Sequence, residues 1–295
     1  TDTGLTYNPS TGLLTSTGFS GSGLNLTTLN ADNISSGTVN VARLGSGSSV
    51  TTKFLRGDNS WQTVATGVSS DAQYNTVGGT NAGDSFSGTS AVNNTLFGYD
   101  AGTAIQVGDD NTCFGYKAGE DCIGSDNTFI GSGAGLNATS CSHVIAIGTN
   151  ALGTVAQTGN WCIAIGDGAL KDQTASNDQN IAIGYLAGQN TNCGAGIFIG
   201  DRAGQNHKGS TEVIAIGNHA LNGASSGSHE SNYNIGLGYY SGKSIAGGDY
   251  NFFCGYEAGK DITDGDNNIL IGKNAGTDLT GQYTNDNIAL GFEAM

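Results

Sequence analysis

An all-β fold is predicted: a parallel β-solenoid of about thirteen short coils over residues 71–295, preceded by a β-rich fibrous shaft over residues 1–70. Three observations point there. Of 295 residues, 50 are glycine and 1 is proline, more than twice the usual glycine share of about 7%. From Tyr74 onward one motif returns thirteen times. Each copy sets three mostly apolar residues in front of a glycine, the composition of a short strand rather than a helix.

The motif reads N-T-Φ-Φ-G-x-x-A-G, with Φ apolar, as in NTLFGYDAG, NIAIGYLAG and NFFCGYEAG. Its anchor glycines are Gly79, Gly98, Gly115, Gly131, Gly148, Gly166, Gly184, Gly200, Gly217, Gly238, Gly255, Gly272 and Gly291, spaced 16 to 21 residues apart. That period is too short for helical repeats or propeller blades and suits one coil of a stacked solenoid.

Each column has a physical reading. The residues one and three before the anchor are mostly Ile, and the one between is mostly Ala, Phe, Leu or Cys. Alternating side-chain direction then makes both strand faces apolar. The anchor ends the strand where positive φ or close backbone approach is needed. Three residues on stands Ala, or once Ser241, which implies crowded backbones. Gly follows in nine copies and Leu or Met in four. Asn stands four before the anchor in nine copies, suited to Asx-turns, to left-handed geometry and to stacked amide ladders. One apolar face fits a coil's interior. The other is left bare on a single chain, which implies an oligomer, with a homotrimer expected.

Composition narrows the function classes. Collagen is excluded because no G-X-Y period exists. A net charge of −15 with ten basic residues argues against nucleic acid and anionic membrane as partners. No apolar run approaches the ~20 residues of a spanning helix, so membrane insertion is not expected. No signal peptide is read at the start of the sequence. Six cysteines without a CxxC pair are expected as reduced, small hydrophobic residues.

The repeats resemble the head of YadA-type trimeric autotransporter adhesins. They are also similar to repeats of bacteriophage tail-fibre and tail-spike proteins that carry a C-terminal self-cleaving intramolecular chaperone. This likeness spans residues 74–295. The earlier strings LTYNPSTG, LNADNISSGTV, ARLGSG and FLRGDNSW are similar to shaft segments of phage and large-virus fibres. The resemblance implies a left-handed β-roll, trimeric, in a non-enzymatic viral tail-fibre or spike segment that mediates host attachment. Its implied location is the virion. Its implied partners are other tail or capsid proteins and a host-surface glycan or outer-membrane protein. Two other readings stand beside it: a bacterial adhesin head at the cell surface, and a virion spacer or decoration protein that binds no receptor.

Candidate sites are few. The longest interval, 217–238, marks an insertion, and insertions in solenoids map to surface loops. A receptor contact is therefore placed at His229, Glu230, Tyr233 and Tyr240. Tyr follows the anchor at Tyr99, Tyr116, Tyr185, Tyr239 and Tyr256, with Phe292 similar; glycan stacking and packing between coils both explain such a column, and packing is preferred. Arg56-Gly57-Asp58 reads as a turn before Trp61, which is expected in a trimer core. Acidic turns such as Asp109-Asp110 and Asp264-Gly265-Asp266 suggest calcium, but no EF-hand spacing accompanies them and solvated turns are preferred. His143, His207, His219 and His229 lack ligand spacing, so no metal, cofactor or catalytic residue is assigned.

Overall fold

The computed structural model describes residues 5–16, 53–55, 61–63, 68–86, 89–153, 159–173, 178–207, 211–223, 231–279 and 284–295. The chain divides into two compact units, Thr1–Ala65 and Thr66–Met295. In the first unit, β1 (Leu5–Asn8) and β2 (Leu13–Ser16) form an antiparallel hairpin. Its turn is closed by Asn8, whose Oδ1 accepts from the Ser10 backbone at 3.1 Å and hydroxyl at 2.7 Å. A second hairpin joins β3 (Lys53–Leu55) to β4 (Trp61–Thr63). The Arg56–Asp58 turn and the Trp61 side chain lie outside the described residues.

The second unit is a parallel β-solenoid, all-β, with no helix among the described residues. Strand β5 (Val68–Ser70) pairs antiparallel with β6 (Thr76–Gly78) and covers that edge of the sheet. From β6 every pairing is parallel. The remaining strands are β7 (Thr95–Phe97), β8 (Thr112–Phe114), β9 (Thr128–Ile130), β10 (Ile145–Ile147), β11 (Ile163–Ile165), β12 (Ile181–Ile183), β13 (Ile197–Ile199), β14 (Ile214–Ile216), β15 (Ile235–Leu237), β16 (Phe252–Cys254), β17 (Ile269–Ile271) and β18 (Ile288–Leu290). Each is the triplet before an anchor glycine, in register with its neighbours. Thirteen rungs at about 4.8 Å give a stack roughly 58 Å long.

The middle residue of the triplet points inward. Leu96, Cys113, Phe129, Ala146, Phe198, Phe253 and Leu270 are fully buried, while their flanking neighbours stand half-buried or exposed. The anchor is obligatory because rungs meet there. Gly131 has φ +130°, and a Cβ on it would stand 2.7 Å from the Gly148 carbonyl oxygen. The Ala column is buried from Ala101 to Ala275, as crowding demanded.

The position after that Ala is left-handed in every copy and regulates core volume. Where the strand centre is Phe129, the turn carries Gly135, whose added Cβ would collide with the Phe ring. Where the centre is only Ala146, Ala164 or Ala215, the turn carries Leu152, Leu170 or Leu221, held at φ +51°, +50° and +44°. These leucines are buried and fill what the alanines leave, keeping interior density constant. Two rungs have neither. Gly188 abuts Leu170 and Phe198, and Gly242 abuts Leu221 and Phe253, so neighbouring rungs fill them.

Candidate functional site

Two polar ladders bind the rungs and frame the exposed face. The first is the buried Asn column. The backbone N–H and side-chain amide of Asn111 both donate to Asn94 Oδ1, at 3.0 and 3.1 Å, and Asn111 also donates to the Gly124 carbonyl at 2.9 Å. The pattern runs from Asn75 to Asn127 and again from Asn234 to Asn287. Asp71 starts it, accepting from Asn75 with both carboxylate oxygens. These bonds hold its carboxyl below the ordinary value, the Asn75 side chain foremost.

The second ladder lies six residues before the anchor and runs the opposite way. Asn232 donates its backbone N–H to Asp249 at 2.7 Å, Asp249 to Asp266 at 2.8 Å, and Asp266 to Asn285 at 2.9 Å. Val92 and Asp109 begin a similar run that ends on Asp178. The acidic turns thus include backbone acceptors that clamp adjacent rungs. Among the described residues no group of three or more His, Cys, Asp or Glu side chains forms a metal cluster.

Between these ladders, the residue five before the anchor has positive φ in all thirteen copies and is never Gly. The left-handed turn expected at Asn is therefore one residue earlier. The column is exposed throughout and includes Tyr74, His143, Trp161, Tyr233 and Tyr250. The signal was present in the sequence only as the absence of glycine from the position before the Asn column.

The outward strand face carries the triplets' first and third residues. From Ile145 to Leu237 these are all Ile or Leu. One edge of this stripe is the column five before the anchor, and the other is the Tyr column just after it. Exposed large apolar side chains of the solenoid lie on this face or its two edges, apart from Val68, Val107, Ile123 and Met295. The apolar surface of the solenoid is thus concentrated on one side.

The edge tyrosines stack on one another along the axis. Tyr99 and Tyr116 lie 5.6 Å apart at 13°, and Tyr239 and Tyr256 lie 5.1 Å apart at 16°. Arg202 lies 4.9 Å over Tyr185, Lys243 lies 4.2 Å over Tyr240, and Lys273 sits between Tyr256 and Phe292. Each of these rings thus has a neighbouring ring or cation against it, while Tyr99, Tyr116, Tyr185, Tyr239 and Tyr256 remain exposed.

Of the expected receptor contacts, Tyr233 and Tyr240 stand at opposite ends of β15, while His229 and Glu230 lie outside the described residues. Tyr240 packs against Tyr239 at 4.1 Å and edge-on against His219 at 5.1 Å. Its hydrogen bond with Tyr239 pushes the Tyr239 phenol up to about 12. Tyr233 stacks flat on Tyr250, 4.9 Å apart at 6°. Among the described residues no ring or cation lies on its other face. That face opens on a groove of about 370 Å³ lined by Ala195, Ile197, Glu212, Ile214, Tyr233 and Ile235. The groove exists because Ala195 is the smallest side chain of its column. Sequence reading missed Ala195 and Glu212; the Asn column also lapses beside them, at Gly196 and Val213.

The histidines do not converge. His143 stacks on Trp161 and lies 3.6 Å from Asp126 at the surface. His207 is fully buried, its Nε2 2.9 Å from the Ser231 carbonyl, and burial pushes it down to about 4. Five cysteines are buried, and Cys254 faces outward in part. Burial pushes Cys122 and Cys193 up to about 11 and Cys141 up to about 12, which keeps these thiols protonated and inert. No protein family, curated protein or solved structure matches the chain.

Proposed function

We propose that the chain is a non-enzymatic segment of a viral, phage-type tail fibre or spike. In this reading three parallel copies bury their outward strand faces against one another, in left-handed coils of one repeat each. The observation that carries it is the apolar stripe with aromatic edges, confined to one side of the stack. With strands of about 10 Å and a stack of roughly 58 Å, the strand stripe alone makes a face of about 580 Å², which the aromatic edges widen toward about 800 Å² per partner, the size of a standard interface. Such a rod places attachment surfaces in threefold copies, so weak contacts add by avidity.

One feature favours the spacer reading instead. Tyrosine faces that a glycan would stack on are covered in part by neighbouring rings and cations. The deciding experiment labels host cells with fluorescent intact assemblies. Saturable labelling supports attachment. Intact assemblies that leave every candidate host envelope unlabelled favour the spacer.

A further inference from the structure

We infer that the groove between Ala195, Glu212 and Tyr233 is the receiving half of a seam between copies of this chain, and that its occupant is the opposite edge of the neighbouring copy around Arg202, His219 and Tyr240. This rests on the proposed parallel assembly and specifies how its edges meet.

Copies related by rotation about an axis parallel to the stack join unlike edges: the edge before the strands of one copy meets the edge after the strands of the next. Pure rotation permits no slide along the axis, so equal rungs stand at equal height. An antiparallel dimer does the reverse, joining like edges with the rungs running in opposite order.

The residues beside the groove favour unlike edges. The edge five before the anchor holds Asp110, Asp126, Glu212 and Asp286 and no Lys or Arg. Meeting its own kind would set acid against acid. The other edge mixes charge along its length, with Lys117, Arg202 and Lys273 beside Asp100, Asp167, Asp201, Glu257 and Glu293; cations outnumber acids only around Arg202, His219 and Lys243, where Asp201 is the one acid. At the groove the match is local. Glu212 and His219 belong to the same rung, anchored at Gly217, with Arg202 one rung before and Tyr240 one rung after. His219 and Tyr240 pack edge-on, with Lys243 over the Tyr240 ring, and form a ridge. Across the seam, the open face of Tyr233 is available to that ridge, and Glu212 meets an edge whose Arg202 already bonds Asp201 at 3.0 Å and lies over Tyr185.

Both edges are aromatic for one reason under this arrangement. Each supplies rings to the same seam, one stacked column lying beside the other. The groove then sets the register, because it is the place in its column where the side chain shrinks to a methyl.

The test uses the full chain with Cys254→Ala as background, since the remaining described cysteines are buried. Glu212→Cys and His219→Cys are introduced together and treated with a short bismaleimide. Closed-ring cross-linking is expected, seen as a covalent trimer on a denaturing gel. Glu212→Cys alone is expected to stay a single chain, as is Glu212→Cys combined with Asn81→Cys, whose partners would be eight rungs apart, about 38 Å. Cross-linked dimers from Glu212→Cys alone would mean that like edges meet and would overturn the proposal. So would a double variant that remains uncross-linked while native mass still shows three chains. A single-chain native mass would remove the trimeric reading itself and the seam with it.

Discussion

The rungs at Gly98, Gly115 and Gly131 and those at Gly148, Gly166 and Gly217 share one backbone path, yet they are tied to their neighbours differently. The first group is joined by an unbroken amide ladder from Asn75 to Asn127. In the second, Val144, Cys162 and Val213 replace Asn. Sulfur takes over part of the ladder's work there. The backbones of Asn180 and Val213 hydrogen-bond to Cys162 and Cys193. Leu152, Leu170 and Leu221 add apolar volume in the same rungs. The difference teaches that the anchor glycines and the strand register define this fold, while the means of joining rungs can be exchanged. Exchange is tolerated when donor and acceptor leave together, because only an orphaned buried partner costs the full desolvation penalty.

The largest effect should come from what both regions share. Gly131→Ala forces a Cβ against the Gly148 backbone at φ +130°, and a loss of at least about 4 kcal/mol is expected in urea unfolding. At Gly291 the same substitution meets only the Ala294 Cβ at 4.0 Å, so its cost should be the backbone strain alone, about 1–3 kcal/mol. Equal costs at the two sites would break the claim that stacking, rather than φ, makes the anchor obligatory.

Next come the two ways of filling a rung. Phe129→Ala should cost about 3–5 kcal/mol, and adding Gly135→Leu should recover part of it by recreating the Ala146–Leu152 pairing. Gly135→Leu alone should destabilise by about 1–3 kcal/mol through overpacking. Additive losses in the double variant would contradict the volume exchange.

The middle rungs should also respond to acid. His207 lies in a turn position that is Ile105, Ile245 or Ile262 elsewhere, and its folded pKa of about 4 is below the ordinary 6.5. Its neutral form is the buried one, so its contribution is full above pH 6.5 and is lost as pH falls toward 4. The loss should reach roughly 3 kcal/mol, and His207→Leu should flatten the unfolding midpoint across that window. An unchanged slope would place the acid sensitivity elsewhere. Asn111→Val should cost about 1–3 kcal/mol, because Asn94 and Gly124 each lose a donor and Asn127 loses an acceptor. Amide exchange at Thr112 and Asn127 should accelerate with it.

Much of this was legible in the residues. The anchor, the Ala column and the Asn ladder each repeat often enough to show their purpose, and both apolar faces follow from alternation across Ile181, Ala182 and Ile183. What was less legible depends on relations between columns. Leu152 does not announce that it compensates Ala146, since the pairing crosses the turn. Nor does Glu212 announce a groove, because the groove is made by what Ala195 lacks. The left-handed residue before each Asn was visible only as an absence of glycine, and its exposure needed the stacked coils.

The central claim is that the outward Ile face and its aromatic edges are covered by copies of the same chain. Native mass measurement of the purified protein tests it most directly. Three times the chain mass is the predicted result, persisting on dilution and in high salt because the buried face is apolar. A species of one chain mass, stable and monodisperse with this face in water, would contradict it.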